Sequence, residues 1–156
     1  MKLFLIYIFF AYLAAAVQGL FFHGIKPDLV LVLVCFYSNM DQRPHYAAYG
    51  AMTGLLLDSA SGFIIGPNIL SKVIVAYLAR TVRNNLFQWN IIISTSMVVI
   101  FSVVDILVTD ACLQTFSKIS FVNRSWSVSV VGTVYTGIAA MILYPVFNRG
   151  KDRGLA

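Results

Sequence analysis

Long apolar runs, broken only by short polar stretches, leave this chain few folds to choose from. A run of about 20 apolar residues is the length that crosses a bilayer as a helix. The chain is 60% hydrophobic and 11% charged, with a mean hydropathy of +0.84, far from the composition of a water-soluble domain. It reads as an all-α integral membrane protein. At about 20 residues per span, its 156 residues allow roughly five to seven helices in a single transmembrane domain, 1–156, with no separate soluble domain.

The breaks set the spans. After Lys2 the chain stays apolar to Phe22. Ala14-Ala15-Ala16 resembles a signal-peptide cleavage site, but the apolar stretch runs on past it and predicts a retained helix over about 3–22. Pro27 suits the first turn of a second helix, where no amide hydrogen is needed, and Asp28 is favoured there by the positive end of the helix dipole. That helix is predicted over 27–40, ended by Asp41-Gln42-Arg43-Pro44-His45, and a third over 46–63. Gly62, Gly66 and Pro67 predict a tight re-entry, then a fourth helix over 68–81. The fifth and sixth are predicted over 87–113 and 126–147. Spans two and four are short, so each needs shielding by neighbours or a thinner bilayer.

Charge orients the six spans. With both termini cytoplasmic, the inner side collects Lys2, Arg43, Arg80, Arg83, Arg149, Lys151 and Arg153, seven of the 11 basic residues, while the outer loops hold Lys26, Lys118 and Arg124. A five-span chain fused across Pro67 loses this bias. The net charge of +5 therefore marks topology and gives no reason to invoke nucleic acid.

Along the third span and into the turn after it, Gly50, Gly54, Asp58, Gly62 and Gly66 follow one another at four-residue intervals. Each step turns a helix position by roughly 40°, so Gly50, Gly54 and Asp58 share a face on which another backbone can come close. Ala11, Ala15 and Gly19 form a second such face. A charge inside a membrane costs about 2.5–3.5 kcal/mol on insertion scales unless paired or hydrated. Once the chain is oriented, Asp28, Asp58, Asp105 and Asp110 all fall in the outer half. Lys72 enters from that side, so Asp58 is expected to pair with Lys72 across the Gly62–Pro67 turn, with Asp105 joining them. Such a network either fixes helix register or serves partner binding or gating.

Other chemistry is sparse. Cys35 and Cys112 lie in or at the end of apolar runs without metal-ligand spacing, and the topology puts His23 and His45 on opposite sides, so no metal or other cofactor is expected. The chain lacks HExxH, a Gly-x-Ser-x-Gly elbow, a phosphate-cradling loop and an acid–base pair in a water-facing cleft, which leaves no catalytic residues to name.

Certain longer motifs carry a family resemblance. Lys26-Pro27-Asp28-Leu29 opens the second span, and Gly54-Leu55-Leu56-Leu57-Asp58-Ser59-Ala60-Ser61-Gly62 closes the third. Gly66, then Ile69 to Ala79 ending in Tyr77-Leu78-Ala79-Arg80, and the late Leu143-Tyr144-Pro145 follow in order. Together they resemble the rod shape-determining protein MreD family, with Pro67 as a departure. The resemblance covers the whole chain and is most specific between residues 26 and 80. It implies a non-enzymatic component of the bacterial elongation machinery in the cytoplasmic membrane, which associates with MreC and through it with MreB, RodA and a class B penicillin-binding protein. It also implies a six-helix bundle similar to the substrate-binding subunits of energy-coupling-factor vitamin transporters. Two functions compete on this basis. One is a scaffold whose small-residue faces on spans one and three hold a partner's transmembrane helix. The other is a transporter subunit that captures a vitamin-like solute with Asp58, Lys72 and Asp105. A proton or ion path is a weaker third, because the charges do not continue to the inner face.

Overall fold

A computed structural model describes residues 2–21, 27–39, 45–62, 65–85, 91–117 and 126–148. All regular structure in them is helical: α1 (Lys2–Phe21), α2 (Leu29–Ser38), α3 (Tyr46–Ser61), α4 (Pro67–Asn85), α5 (Ile91–Ser117) and α6 (Trp126–Asn148). The element count and order match the sequence expectation. His23, Trp89, Asp41, Asp152 and the charged residues Lys26, Arg43, Lys118, Arg124, Arg149, Lys151 and Arg153 lie outside the described residues.

The shortest helix is the centre. α2 packs against each of the other five, and every residue from Val30 to Ser38 is buried. Ten residues rise only about 15 Å, too little to cross a bilayer alone. Encirclement by neighbours supplies the shielding expected for so short an apolar segment. Around α2, α1 packs on α3, α3 on α4, α4 on α5 and α5 on α6, whereas among the described residues α6 and α1 share no substantial contact.

The exterior is as apolar as the centre. Leu5, Phe9 and Leu13 of α1, Ile92 and Leu107 of α5, and Val134, Ile138 and Ile142 of α6 all point outward. Asp58, Lys72, Ser71 and Asp105 are buried. Contiguous apolar exteriors are what a bilayer solvates. By length and composition, the segment Ile91–Thr115 is enough to cross a membrane, and Phe4–Leu20, Leu29–Ser38 and Ser129–Pro145 are shorter apolar stretches of helix.

Several boundaries differ from expectation: α5 runs to Ser117 rather than Leu113, both ends of α4 move, and α2 starts later. α2 begins at Leu29 rather than at Pro27, because Asp28 is its N-cap: Oδ1 accepts from the Leu31 amide at 2.8 Å, the bond an N-cap carboxylate makes to the third helical residue. Pro27 thus precedes the helix. α4 begins at Pro67, where a fixed φ and a missing N–H suit the first helical position, and continues to Asn85, four residues past the expected end. At 19 residues it is therefore not a short helix.

Candidate functional site

The α3–α4 hairpin explains the glycine ladder. A Cβ on Gly54 would meet Ile69 Cα at 2.5 Å and the Asn68 carbonyl oxygen at 2.6 Å, and one on Gly50 would meet the Lys72 carbonyl oxygen at 2.7 Å. The two backbones thus touch where only glycine fits. This is the helix-packing role expected of Gly50 and Gly54, but the helix that fills the face is α4 of the same chain, so a partner helix cannot occupy it. At the turn, Gly62 has φ 68° and Gly66 φ 139°, both in the region where a side chain brings strain.

Asp58 completes the hairpin. Gly66 occupies the N-cap position of α4, its carbonyl accepting from the Leu70 amide at 2.9 Å, yet glycine has no side chain to cap the helix. The buried Asp58 supplies it from across the turn. Its Oδ2 accepts from the amides of Gly66 at 2.8 Å and Ile69 at 3.2 Å, and its Oδ1 from the Asn68 amide at 3.1 Å and the Asn68 side-chain amide at 2.8 Å. An anion at a helix N-terminus is favoured by both the orphan amides and the helix dipole. The expected Asp58–Lys72 pair is not formed, because these donors already take both carboxylate oxygens.

Lys72 turns instead to two other acids. Its Nζ donates to Asp28 Oδ2 at 2.6 Å and to both carboxylate oxygens of Asp105 at 2.8 Å. Ser71 Oγ also donates to Asp105 Oδ1. The ammonium is buried, as a charge in an apolar interior must be if it is to stay paired and unhydrated. On the other side of Asp28, its amide donates to Thr136 Oγ1 of α6 at 2.9 Å, and Gln18 Nε2 of α1 donates to the Pro27 carbonyl at 2.5 Å. One polar node thus joins α1, α2, α4, α5 and α6, while Asp58 joins α3 to α4. With Lys72 held by Asp28 and Asp105, and Asp58 by backbone amides, the groups expected to grip a solute are engaged within the chain.

The structure brings Lys72 and Asp105 together as a pair and adds Asp28, which the sequence placed in the same outer half but not in this network. A signal was available: Asp28 lies in the same outer half as Lys72 and Asp105. Ser71, Thr136 and Gln18 carried none, since a hydroxyl or amide in an apolar helix has no distinguishing spacing. The Ala11, Ala15, Gly19 series does not stay on one buried face. Ala11 is in the core, Ala15 is half-buried and Gly19 is exposed with nothing within 4 Å of an added Cβ, the drift that a four-residue step produces. Cys35 is a buried core thiol and Cys112 a half-buried one, both free.

The opposite end of the bundle is aromatic. Tyr37 and Tyr49 have ring centroids 4.3 Å apart, Tyr7 lies 5.2 Å from Tyr37, and Phe4 sits edge-on to both Tyr37 and Tyr49. The Tyr49 hydroxyl donates to the Tyr7 carbonyl at 3.1 Å. The bundle thus has a charged lock at one end and a ring-packed lock at the other.

A family model described as rod shape-determining protein MreD matches residues 1–149. No curated protein and no solved structure matches the chain.

Proposed function

Because the chain belongs to the rod shape-determining protein MreD family, we propose that it is a multi-pass, non-enzymatic component of the bacterial cytoplasmic membrane that binds MreC directly. Family membership gives it a role in rod shape determination. In this reading, both termini are cytoplasmic, and MreB, RodA and a class B penicillin-binding protein belong to the wider complex that organises lateral peptidoglycan synthesis.

The observation that carries the reading is the division between inside and outside. Charged and hydroxyl groups turn inward onto one another at Lys72, while α1, α5 and α6 present apolar side chains outward. A protein built this way acts through lateral contact in the bilayer rather than through chemistry on a soluble substrate. A similarity of the bundle to the substrate-binding subunits of energy-coupling-factor transporters belongs to the same reading. Solute capture itself gains no support, since Asp58, Lys72 and Asp105 already have partners.

Depletion of the protein in a rod-shaped host, followed by microscopy, tests the process. Rods should turn round and recover on re-expression. Unchanged shape would overturn the reading. Tight binding of a vitamin to the purified protein would favour transport instead.

A further inference from the structure

α2 is the centre of the bundle over only part of its height. Two neighbours fix the level at which it starts: the Asp28 amide donates to Thr136 Oγ1, and the Asp28 carboxylate shares the Lys72 ammonium with Asp105. Thr136 stands near the middle of the apolar Ser129–Pro145 stretch of α6, and Asp105 near the middle of Ile91–Thr115 of α5. The central helix therefore begins about halfway along the two helices beside it. Ten residues of α6 precede Thr136 and 12 of α5 follow Asp105, about 15 and 18 Å of helix beyond that level. A tilt of about 40°, the top of the usual range, would still leave about three-quarters of this as depth.

The break in the chain at this level is closed by protein. Pro27 and Asp28 are not helical, yet the Pro27 carbonyl accepts from Gln18 Nε2 and the Leu29 amide, and Thr136 takes the Asp28 amide. What stays open is the carboxylate. Asp28 Oδ1 caps α2 and Oδ2 meets Lys72, but the side chain is still 29% exposed, against 11% for Asp105 and 1% for Lys72. Hydrocarbon is not an acceptable neighbour for that surface, because an ionised side chain at the centre of a bilayer faces protein or a water-filled cavity. Val134 and Ile138, two residues either side of Thr136, are apolar and 54% and 51% exposed, the kind of surface that lipid covers at this depth. Asp28 needs a different solvent.

We propose that a water-filled recess, open on the side where α5 ends and α6 begins, reaches down to Asp28 and the half-buried Leu29 at the start of α2. Access from the opposite side is closed, since Val30 to Ser38 are all buried. Water in the recess wets the rim of the charged node at Asp28, while the ammonium of Lys72 beneath it stays dry. Asp28 can then carry its charge at mid-height, as cap of α2 and partner of Lys72, without lipid having to solvate it. The inference rests on the proposed multi-pass membrane reading and adds to it the solvent of the node.

The test uses the full-length chain in right-side-out and inverted membrane vesicles, with Cys35→Ala, Cys112→Ala and one new cysteine at position 29, 134 or 138. A charged, membrane-impermeant thiol reagent should label Leu29→Cys at least about tenfold faster than Val134→Cys or Ile138→Cys, because the reagent and the reactive thiolate are both disfavoured in lipid. This order reverses the order of exposure, in which Leu29 is the least open of the three. Hydroxyl-radical footprinting of the wild-type chain, corrected for intrinsic reactivity, should likewise modify Leu29 ahead of Val134 and Ile138, and it decides the matter if a cysteine variant does not fold. Equal labelling at the three positions, or labelling of Leu29→Cys by a lipid-soluble maleimide alone, would overturn the proposal. Labelling of Leu29→Cys only from the cytoplasmic side would overturn the assigned orientation and leave the recess standing. Release of the wild-type chain from membranes by alkaline carbonate would overturn the membrane reading and the recess with it.

Discussion

Ile69 Cα occupies the space that a Cβ on Gly54 would need, with 2.5 Å between them. Both atoms belong to backbone, so neither can swing aside as a flexible side chain could. Gly54→Ala should therefore push α3 and α4 apart and destabilise the bundle by roughly 1–3 kcal/mol, the range for overpacking a well-filled interface, and Gly54→Leu by more. Gly19→Leu is the contrast, because a Cβ there meets nothing. Thermal unfolding in detergent should show a clear drop for both Gly54 variants and little change for Gly19→Leu. A wild-type midpoint for Gly54→Ala would remove the close-contact account.

Asp58 satisfies three backbone amides and one side-chain amide at the start of α4. Asp58→Ala leaves these donors without their acceptor in a partly buried turn, where each unpaired group costs roughly 1–3 kcal/mol. Asp58→Asn keeps one oxygen acceptor and should fall between wild type and Ala. Hydrogen exchange at Asn68 and Ile69 should speed up most in Asp58→Ala, ahead of amides in α5. Unchanged exchange at those two amides would show that Asp58 does not cap the helix.

The number, order and rough limits of the helices were legible because each rests on local signals: apolar run length, the polar break at 41–45, and the Gly62, Gly66 and Pro67 turn. The ion-pair partners were not, because they are set by contacts between distant helices. Depth in the membrane placed Lys72 among four outer-half acids but could not choose between them. The choice depends on the start of α4, whose Gly66, Asn68 and Ile69 amides take up Asp58 and so withdraw it from Lys72. No sequence spacing marks an acid that caps a helix eight to eleven residues further on. Gly50 and Gly54 were legible as a close-contact face, yet small-residue spacing says nothing about whose helix fills it.

At the aromatic end, Tyr49 offers a separable test. Its hydroxyl donates to the Tyr7 carbonyl while its ring stacks near Tyr37. Tyr49→Phe keeps the ring and removes the donor, with an expected loss of about 0.5–1.5 kcal/mol. Tyr49→Ala also opens a cavity among Phe4, Tyr7 and Tyr37 and should cost roughly 3–5 kcal/mol, as large aromatic truncations in cores do. Unfolding midpoints ordered wild type, Phe, Ala would fit this division of labour. Equal midpoints for Phe and Ala would assign the whole effect to the hydroxyl.

Lys72 is the member of the charged node whose loss should be worst, because it alone is shared. Lys72→Met leaves Asp28 and Asp105 facing each other without a cation, and breaking a buried pair in this way typically costs about 3–5 kcal/mol. Asp28→Asn or Asp105→Asn leaves a balanced pair and should cost less. The strongest expectation is for combinations. Adding both Asn substitutions to Lys72→Met removes every charge from the node and should recover much of the lost stability, so the effects should be strongly non-additive. Unfolding of the three single variants and the triple variant measures this directly. If the triple variant falls by the sum of the singles, the three side chains act independently and the node does not function as a unit.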